Sequence, residues 1–245
     1  MKEKPIIMSG ESVRAILDLR KTMTRRVMKL PDNHGFGFSD VRLLHGKQTD
    51  DQRSVYEFSL PELTTEQVRL GVDSRVLVHP PYEVGDRLWV RESWSTLTYH
   101  EGDVPIHVLK DDEGIEHDIV YYAECPDFSW MDGDGFQEYR RDGSVASHWK
   151  SPMFMPRWAS RITLEITDIR VEKVQDITED DAIKEGCSGR GGMFLRTDVY
   201  PPSNESIPIS EFRYRCDKLN AKRGYPWASN PWVWVISFKL LEGDI

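Results

Sequence analysis

Residues 157–186 read RWASRITLEITDIRVEKVQDITEDDAIKEG, and two periodicities inside this stretch set the fold class. Apolar residues recur at every second position from Ile162 through Leu164 to Ile166, and again at Val171 past a bend, which is the spacing of a strand with one buried face. At Thr178 the pattern changes. Thr178 with Asp181 three residues on is a capping pattern, Glu179 to Asp181 suit the positive end of a helix, and Gly186 suits its stop. A long strand therefore hands the chain to a short helix that ends beside Glu185.

Outward from this unit, NPWVWVISFKLL (230–241) is a second strong strand, and Ile209, Phe212, Cys216 and Leu219 space an amphipathic helix over 209–222. Near the start, Ser9 is placed to cap a helix carrying Val13, Ile16 and Leu17. The Gly85-Asp86 turn leads into a strand with Leu88 and Val90 on one side and Trp89 and Arg91 on the other. VRLLHG (41–46) and VYEFSL (55–60) suit a small hairpin, and IVYYAE (119–124) suits a strand. The remainder is rich in turns, including DGDG (132–135), RRDGS (140–144) and GRGG (189–192). Strands separated by irregular loops, without a βαβ rhythm, predict an α+β domain built on a small mixed β-barrel or curled sheet with short flanking helices. No linker divides the chain, so residues 1–245 read as a single domain with insertions at about 30–80, 96–155 and 188–208.

Composition bounds the function. Hydrophobic residues make up 39% and charged residues 30%, which predicts a folded globular protein with a well-solvated surface. No run approaches the roughly 18 apolar residues of a membrane span, and MKEKPIIMSGES lacks the core of a secretory signal, so no membrane partner and a cytoplasmic location are expected. The three cysteines are too far apart for a metal clip and odd in number, and the seven histidines show no HxxxH pairing. No metal or cofactor is expected. A net charge of −9 argues against a broad phosphate-neutralising face, so duplex DNA is not an expected partner. A modified nucleoside or a short single-stranded RNA suits a local basic site better.

That local site is RKTMTRR (20–26), four cations in seven residues with no acid among them. On composition alone it reads as a basic helix end complementing the C-terminal dipole. Its threonines favour either an extended backbone or a terminal helical turn, and the residues alone do not choose. Arg157 and Arg161 bracket Trp158, an arrangement able to hold a base and a phosphate, although Trp94 and Trp158 also suit core filling. Glu92 is an acid able to pair with an arginine of the cluster. RYRCDKLNAKRGY (213–225) is a second basic patch.

LDLRKTMTRR, VGDRLWVRE, RITLEITDIR, ITEDDAIKEG and NPWVWVISF occur in an order that resembles the ASCH domain family, whose members have a PUA-like β-barrel. The likeness is greatest to the larger phage- and prophage-borne ASCH proteins, and it covers about half the chain, leaving the insertions outside. A compact bacterial member that removes the acetyl group from N4-acetylcytidine is similar in having a Lys-Thr-x-Thr segment after the first helix and a glutamate on the helix after the long strand. The resemblance implies Lys21, Thr24 and Glu185 as catalytic residues; read from the residues themselves, Arg25, Arg26, Glu92, Trp94, Arg157, Trp158 and Arg161 are the candidates to face the substrate. Thr24 would be the nucleophile and Lys21 its base, in a neutral form favoured by burial and the adjacent arginines. Glu185 would donate a proton to the leaving amine or orient Lys21. The implied activity is hydrolysis of an N4-acylcytidine-like amide. Recognition of RNA or a modified base without turnover, and ribonuclease activity, are the alternatives on the same scaffold.

Overall fold

The computed structural model describes residues 1–28, 42–48, 54–59, 75–96, 106–124, 149–187 and 206–241. In chain order these form β1 (Glu3–Ile7), α1 (Gly10–Leu17), β2 (Met23–Val27), β3 (Arg42–Gln48), β4 (Ser54–Ser59), β5 (Arg75–Val78), β6 (Arg87–Arg91), β7 (Trp94–Thr96), β8 (His107–Lys110), β9 (Glu116–Tyr121), β10 (Thr163–Lys173), α2 (Glu179–Lys184), α3 (Ile207–Asn220) and β11 (Trp232–Leu240). The class is α+β, dominated by sheet. The sheets are open, and no closed barrel is formed among the described residues. None of the described helices is long and apolar enough to cross a membrane. The turn-rich segments DGDG, RRDGS and GRGG lie outside the described residues.

The chain divides into two compact units, each assembled from separate pieces of sequence: Met1–Arg20, Arg87–Glu165 and Lys239–Ile245 in the first, Lys21–Asp86 and Ile166–Phe238 in the second. Because β10 and β11 each contribute residues to both units, no stretch of linker composition marks a boundary.

In the first unit, Ser9 caps α1 by accepting from Ser12 N at 3.3 Å, and Val13, Ala15 and Ile16 face inward. β1 runs parallel to β6 with Ile6 opposite Val90, and the start of β10 pairs antiparallel with β6, Thr163 opposite Trp89. Ile6, Leu88, Val90 and Leu164 are buried. β9 lies between β7 and β8, and Trp94, Ile119, Tyr121, Met155 and Ala159 pack as its core. β10 begins at Thr163, one residue past the first of its alternating apolar positions, Ile162, and the residues ahead of it are not strand. Pro152 and Pro156, which lack the donor a ladder needs, introduce two single 3-10 turns instead.

In the second unit β2 pairs antiparallel with β11, Met23 opposite Ser237 and Val27 opposite Val233, so the open question of RKTMTRR resolves to an extended strand from Met23 onward. β3, β4 and β5 form a sheet in that order, which includes the expected hairpin. Helices α2 and α3 supply Ala182, Phe212 and Cys216 to a core with Met23, Val174, Ile177, Cys187, Val233 and Val235. Leu219 departs from the expected apolar stripe. It is exposed in the last turn of α3, where the neighbouring Lys218, Ala221 and Lys222 are exposed as well.

Gly46 on β3 faces Tyr56 across the ladder, and a Cβ there would come within 2.8 and 2.9 Å of the tyrosine ring. The ring has little freedom to retreat, because its hydroxyl donates to Ile169 O at 2.9 Å and it packs edge-on to Trp234. Gly46→Ala is therefore expected to destabilise the protein by about 1 to 3 kcal/mol, the usual range for overpacking, as read from the urea midpoint at constant m-value.

Candidate functional site

The second unit brings Lys21 and Glu185 together from 164 residues apart. Backbone bonds fix both. Thr22 N donates to Lys184 O and Phe238 N donates to Thr22 O, each at 2.9 Å, so residue 22 is tied to the end of α2 on one side and to β11 on the other. Lys21 and Glu185 then form an isolated antiparallel bridge. Glu185 is the C-cap of α2. Gly186, with φ of 87°, lets Gly186 N reach Ile183 O (2.8 Å) and Cys187 N reach Ala182 O (3.0 Å), the paired bonds of a Schellman stop. At the other end, Thr178 Oγ1 accepts from Asp181 N, as the capping pattern predicts.

Lys21 Nζ donates to Glu185 Oε2 at 2.6 Å and to Glu185 O at 2.8 Å, and both residues are 5% exposed. Charges this deep persist only when paired, and the pairing extends further. Arg25 Nη2 donates to Asp181 Oδ2 (2.6 Å) and Glu172 Oε2 (3.1 Å), while its Nη1 lies 3.6 Å from Glu185 Oε1. Arg170 reaches the same two acids, Asp181 at 2.8 Å and Glu172 at 2.5 Å. Lys21, Arg25 and Arg170 thus balance Glu172, Asp181 and Glu185. Two buried atoms of the cluster, Glu185 Oε1 and Arg25 Nε, make no hydrogen bond among the described residues. No three His, Cys, Asp or Glu side chains among the described residues are placed to hold a metal ion, and the carboxylates here face guanidinium groups.

Thr24 lies on β2 opposite Ile236, is 5% exposed, and its hydroxyl makes no hydrogen bond among the described residues. Arg26, on the same face of the strand as Thr24, is held below its ordinary pKa by burial, against the pull of Tyr82 and Glu185. Cys187, beside Gly186, is fully buried and its thiol is pushed up to about 12 by that burial, which leaves it unreactive. The arginines adjacent to Lys21 in sequence are not its closest neighbours. What its amine meets is a carboxylate and a carbonyl.

Glu92, Trp94, Arg157, Trp158 and Arg161 belong to the first unit. Glu92 pairs with Arg161 rather than with an arginine of the 20–26 cluster: Arg161 Nε and Nη2 fork onto its two oxygens at 3.1 and 3.3 Å. Arg161 Nη1 also donates to Glu124, whose other oxygen bonds His107 Nε2 at 2.9 Å, and the guanidinium lies 3.9 Å from the Tyr121 ring centroid. Arg157 bonds Glu3 and Thr163 Oγ1, both at 3.2 Å. Trp158 is stacked on His117 and meets Trp94 edge-on, and each of the arginines that bracket it is bonded to an acid.

The residues missed in the sequence are Arg170, Glu172 and Asp181 around the Lys21 pair, and His107, Tyr121 and Glu124 around Arg161. A signal existed for the first set. Arg170 and Glu172 share a strand face at i, i+2, and Asp181 precedes Glu185 by one helical turn. Compared with protein-family models, curated proteins and solved structures, the chain matches none.

Two outcomes follow from these networks. Lys21→Met or Glu185→Leu alone should each cost about 3 to 5 kcal/mol by stranding a buried charge, whereas the double variant should cost no more than either single one. Urea titrations of the four proteins measure this, and simple additivity would mean the pair is not coupled. In the first unit, burial pushes the Glu124 carboxyl up, but bonds from His107 and Arg161 outweigh it and hold it below its ordinary 4.5. The stability Glu124 contributes is therefore present above that value and lost as pH falls through the folded-state value. The gap in melting temperature between wild type and Glu124→Gln should shrink on acidification below about pH 4.5.

Proposed function

We propose that the second unit carries an ASCH-type, PUA-like hydrolytic site that cleaves the amide of an N4-acylated cytosine nucleoside or base. The observation that carries this reading is the buried contact between Lys21 and Glu185, the lysine and glutamate that the motif resemblance selects across most of the chain. Glu185 Oε1 supports it further, because a buried acceptor that takes no hydrogen bond among the described residues suits the N–H of a bound amide.

The proton inventory of the pair fits the reaction. Transfer along the 2.6 Å contact converts ammonium and carboxylate to amine and carboxylic acid without changing the net charge. Thr24 Oγ then attacks the acyl carbon and gives its proton to the Lys21 amine, the C–N bond breaks, and Glu185 protonates the departing nitrogen. This leaves an acyl ester on Thr24 and the pair again charged. A water attacks the ester, Glu185 takes its proton, and Lys21 returns a proton to Thr24 Oγ. Acid, amine and the starting pair are regenerated. Arg26, two residues on from Thr24 and on the same face of β2, is the cation offered to the developing oxyanion.

The test is release of cytidine from N4-acetylcytidine by the purified protein. Lys21→Ala should lower the rate by about 100- to 10,000-fold with little change in affinity, and Thr24→Ser should retain more activity than Thr24→Ala. Equal loss of binding and rate would make Lys21 an anchor. Wild-type protein that binds the nucleoside and releases nothing would make the site a recognition module.

A further inference from the structure

A turn and a strand face in the first unit take no part in anything described above. The turn Pro152–Phe154 is rigid: Phe154 N donates to Ser151 O (3.0 Å), Met155 N donates to Pro152 O (3.2 Å), Ser151 Oγ accepts from Met153 N (3.4 Å), and Met155 is buried beneath. Arg91 Nη1 donates to Met153 O at 3.3 Å and pins the turn to β6. Yet Met153 and Phe154 are 64% and 76% exposed. The Phe154 ring is thus held out on a fixed turn, accessible to stack against a planar group.

On β6, alternation puts Arg87, Trp89 and Arg91 on one face. Parallel pairing sets Glu3 opposite Arg87, yet the Glu3 carboxylate pairs with Arg157 instead. The Arg91 guanidinium lies over Trp89, 4.5 Å from the ring centroid. Among the described residues neither Arg87 nor Arg91 has a carboxylate partner, and the Nε of each is buried without an acceptor. Four residues apart on a strand, their Cα atoms are about 13 Å apart at 3.3 Å per residue.

We propose that this face, Phe154 with Arg87 and Arg91, docks single-stranded nucleic acid, the ring stacking a base and the two guanidiniums holding phosphates. Unpaired cations and an exposed ring on rigid backbone answer the two chemistries of such a strand together. A protein partner would need a wider apolar area, and an anionic membrane would need a longer apolar face than two side chains of one turn. The inference does not depend on turnover at Lys21.

The experiment is fluorescence anisotropy of the full chain against a labelled oligouridylate of about ten nucleotides, across a salt series, with the matching duplex and phosphatidylserine vesicles as controls. Wild type is expected to bind the single strand in preference to both. Phe154→Ala should weaken binding by about tenfold with the salt slope kept, the low end of what stacking one base contributes. Arg87→Gln with Arg91→Gln should flatten the log–log slope by about 1.4, roughly 0.7 per phosphate, while Arg91→Lys restores its share. Melting temperatures check that the surface variants remain folded. Unchanged affinity and slope in these variants would overturn the proposal, as would preferential binding to the vesicles, or a dimer that Phe154→Ala dissolves. Each of these outcomes leaves the hydrolytic reading standing, and loss of cytidine release leaves this one standing.

Discussion

The second unit is organised around a charge pair that cannot be half built. Lys21 and Glu185 sit where a lone ammonium or carboxylate would cost several kcal/mol to desolvate, so each requires the other, and both require the backbone to hold them within a hydrogen bond. That requirement reaches outward. The Schellman stop at Gly186 aims Glu185, the bonds at Thr22 hold the start of β2 against α2 and β11, and Arg25 with Asp181 flanks the carboxylate from the helix side. Removing Gly186 or Asp181 would disturb the pair without touching either member.

Both units bury an arginine among carboxylates, and the difference between the two networks is informative. Around Arg161 the satisfaction is close to complete: its Nε, Nη1 and Nη2 all donate, and both Glu92 oxygens accept. Burial still raises the Glu92 pKa, with Arg161 pulling it back, which is what a packed support for a core looks like. Around Lys21 the balance of charge is just as even, but among the described residues Glu185 Oε1 and Arg25 Nε make no hydrogen bond. Local rules tend to fail where a protein works rather than where it merely stands. The contrast, and not the number of charges, separates a candidate site from a structural cluster.

The sequence was most legible where periodicity was long. β10, β11, α1 and the capped α2 all appear where their spacing placed them, because each carries its own turn or cap signal. β1, β5, β7 and β8 were not seen, and they are only three to five residues long. Runs so short show one or two alternations, and their strand character comes from the neighbour they pair with. Lys21 and Glu185 were legible only through motif resemblance, since no local pattern links residues so far apart. The partners of Arg161 were hidden for another reason. Its flanking tryptophan suggested a binding bracket, while its partners Glu92, Glu124 and His107 arrive from three other segments.

The cluster RKTMTRR shows how a run of like charge in sequence dissolves in three dimensions. Arg20 bonds Asp18 at the surface, Lys21 goes to Glu185, and Arg25 goes to Asp181 and Glu172 with its side chain 1% exposed. Strand alternation sends Arg26 to the opposite face of β2 from Arg25. Four adjacent cations therefore make no continuous cationic surface. A phosphate arriving at Arg25 would have to displace two carboxylates already within hydrogen-bond reach, and exchanging a buried charge-assisted bond for a solvent-screened one is unfavourable. Arg87 and Arg91 face no such competition, because no described acid holds them. Spaced by a strand and separated by a tryptophan, they carry no signal as a charge run. Cationic density along the chain and cationic availability on the fold are thus different quantities, and phosphate recognition depends on the second.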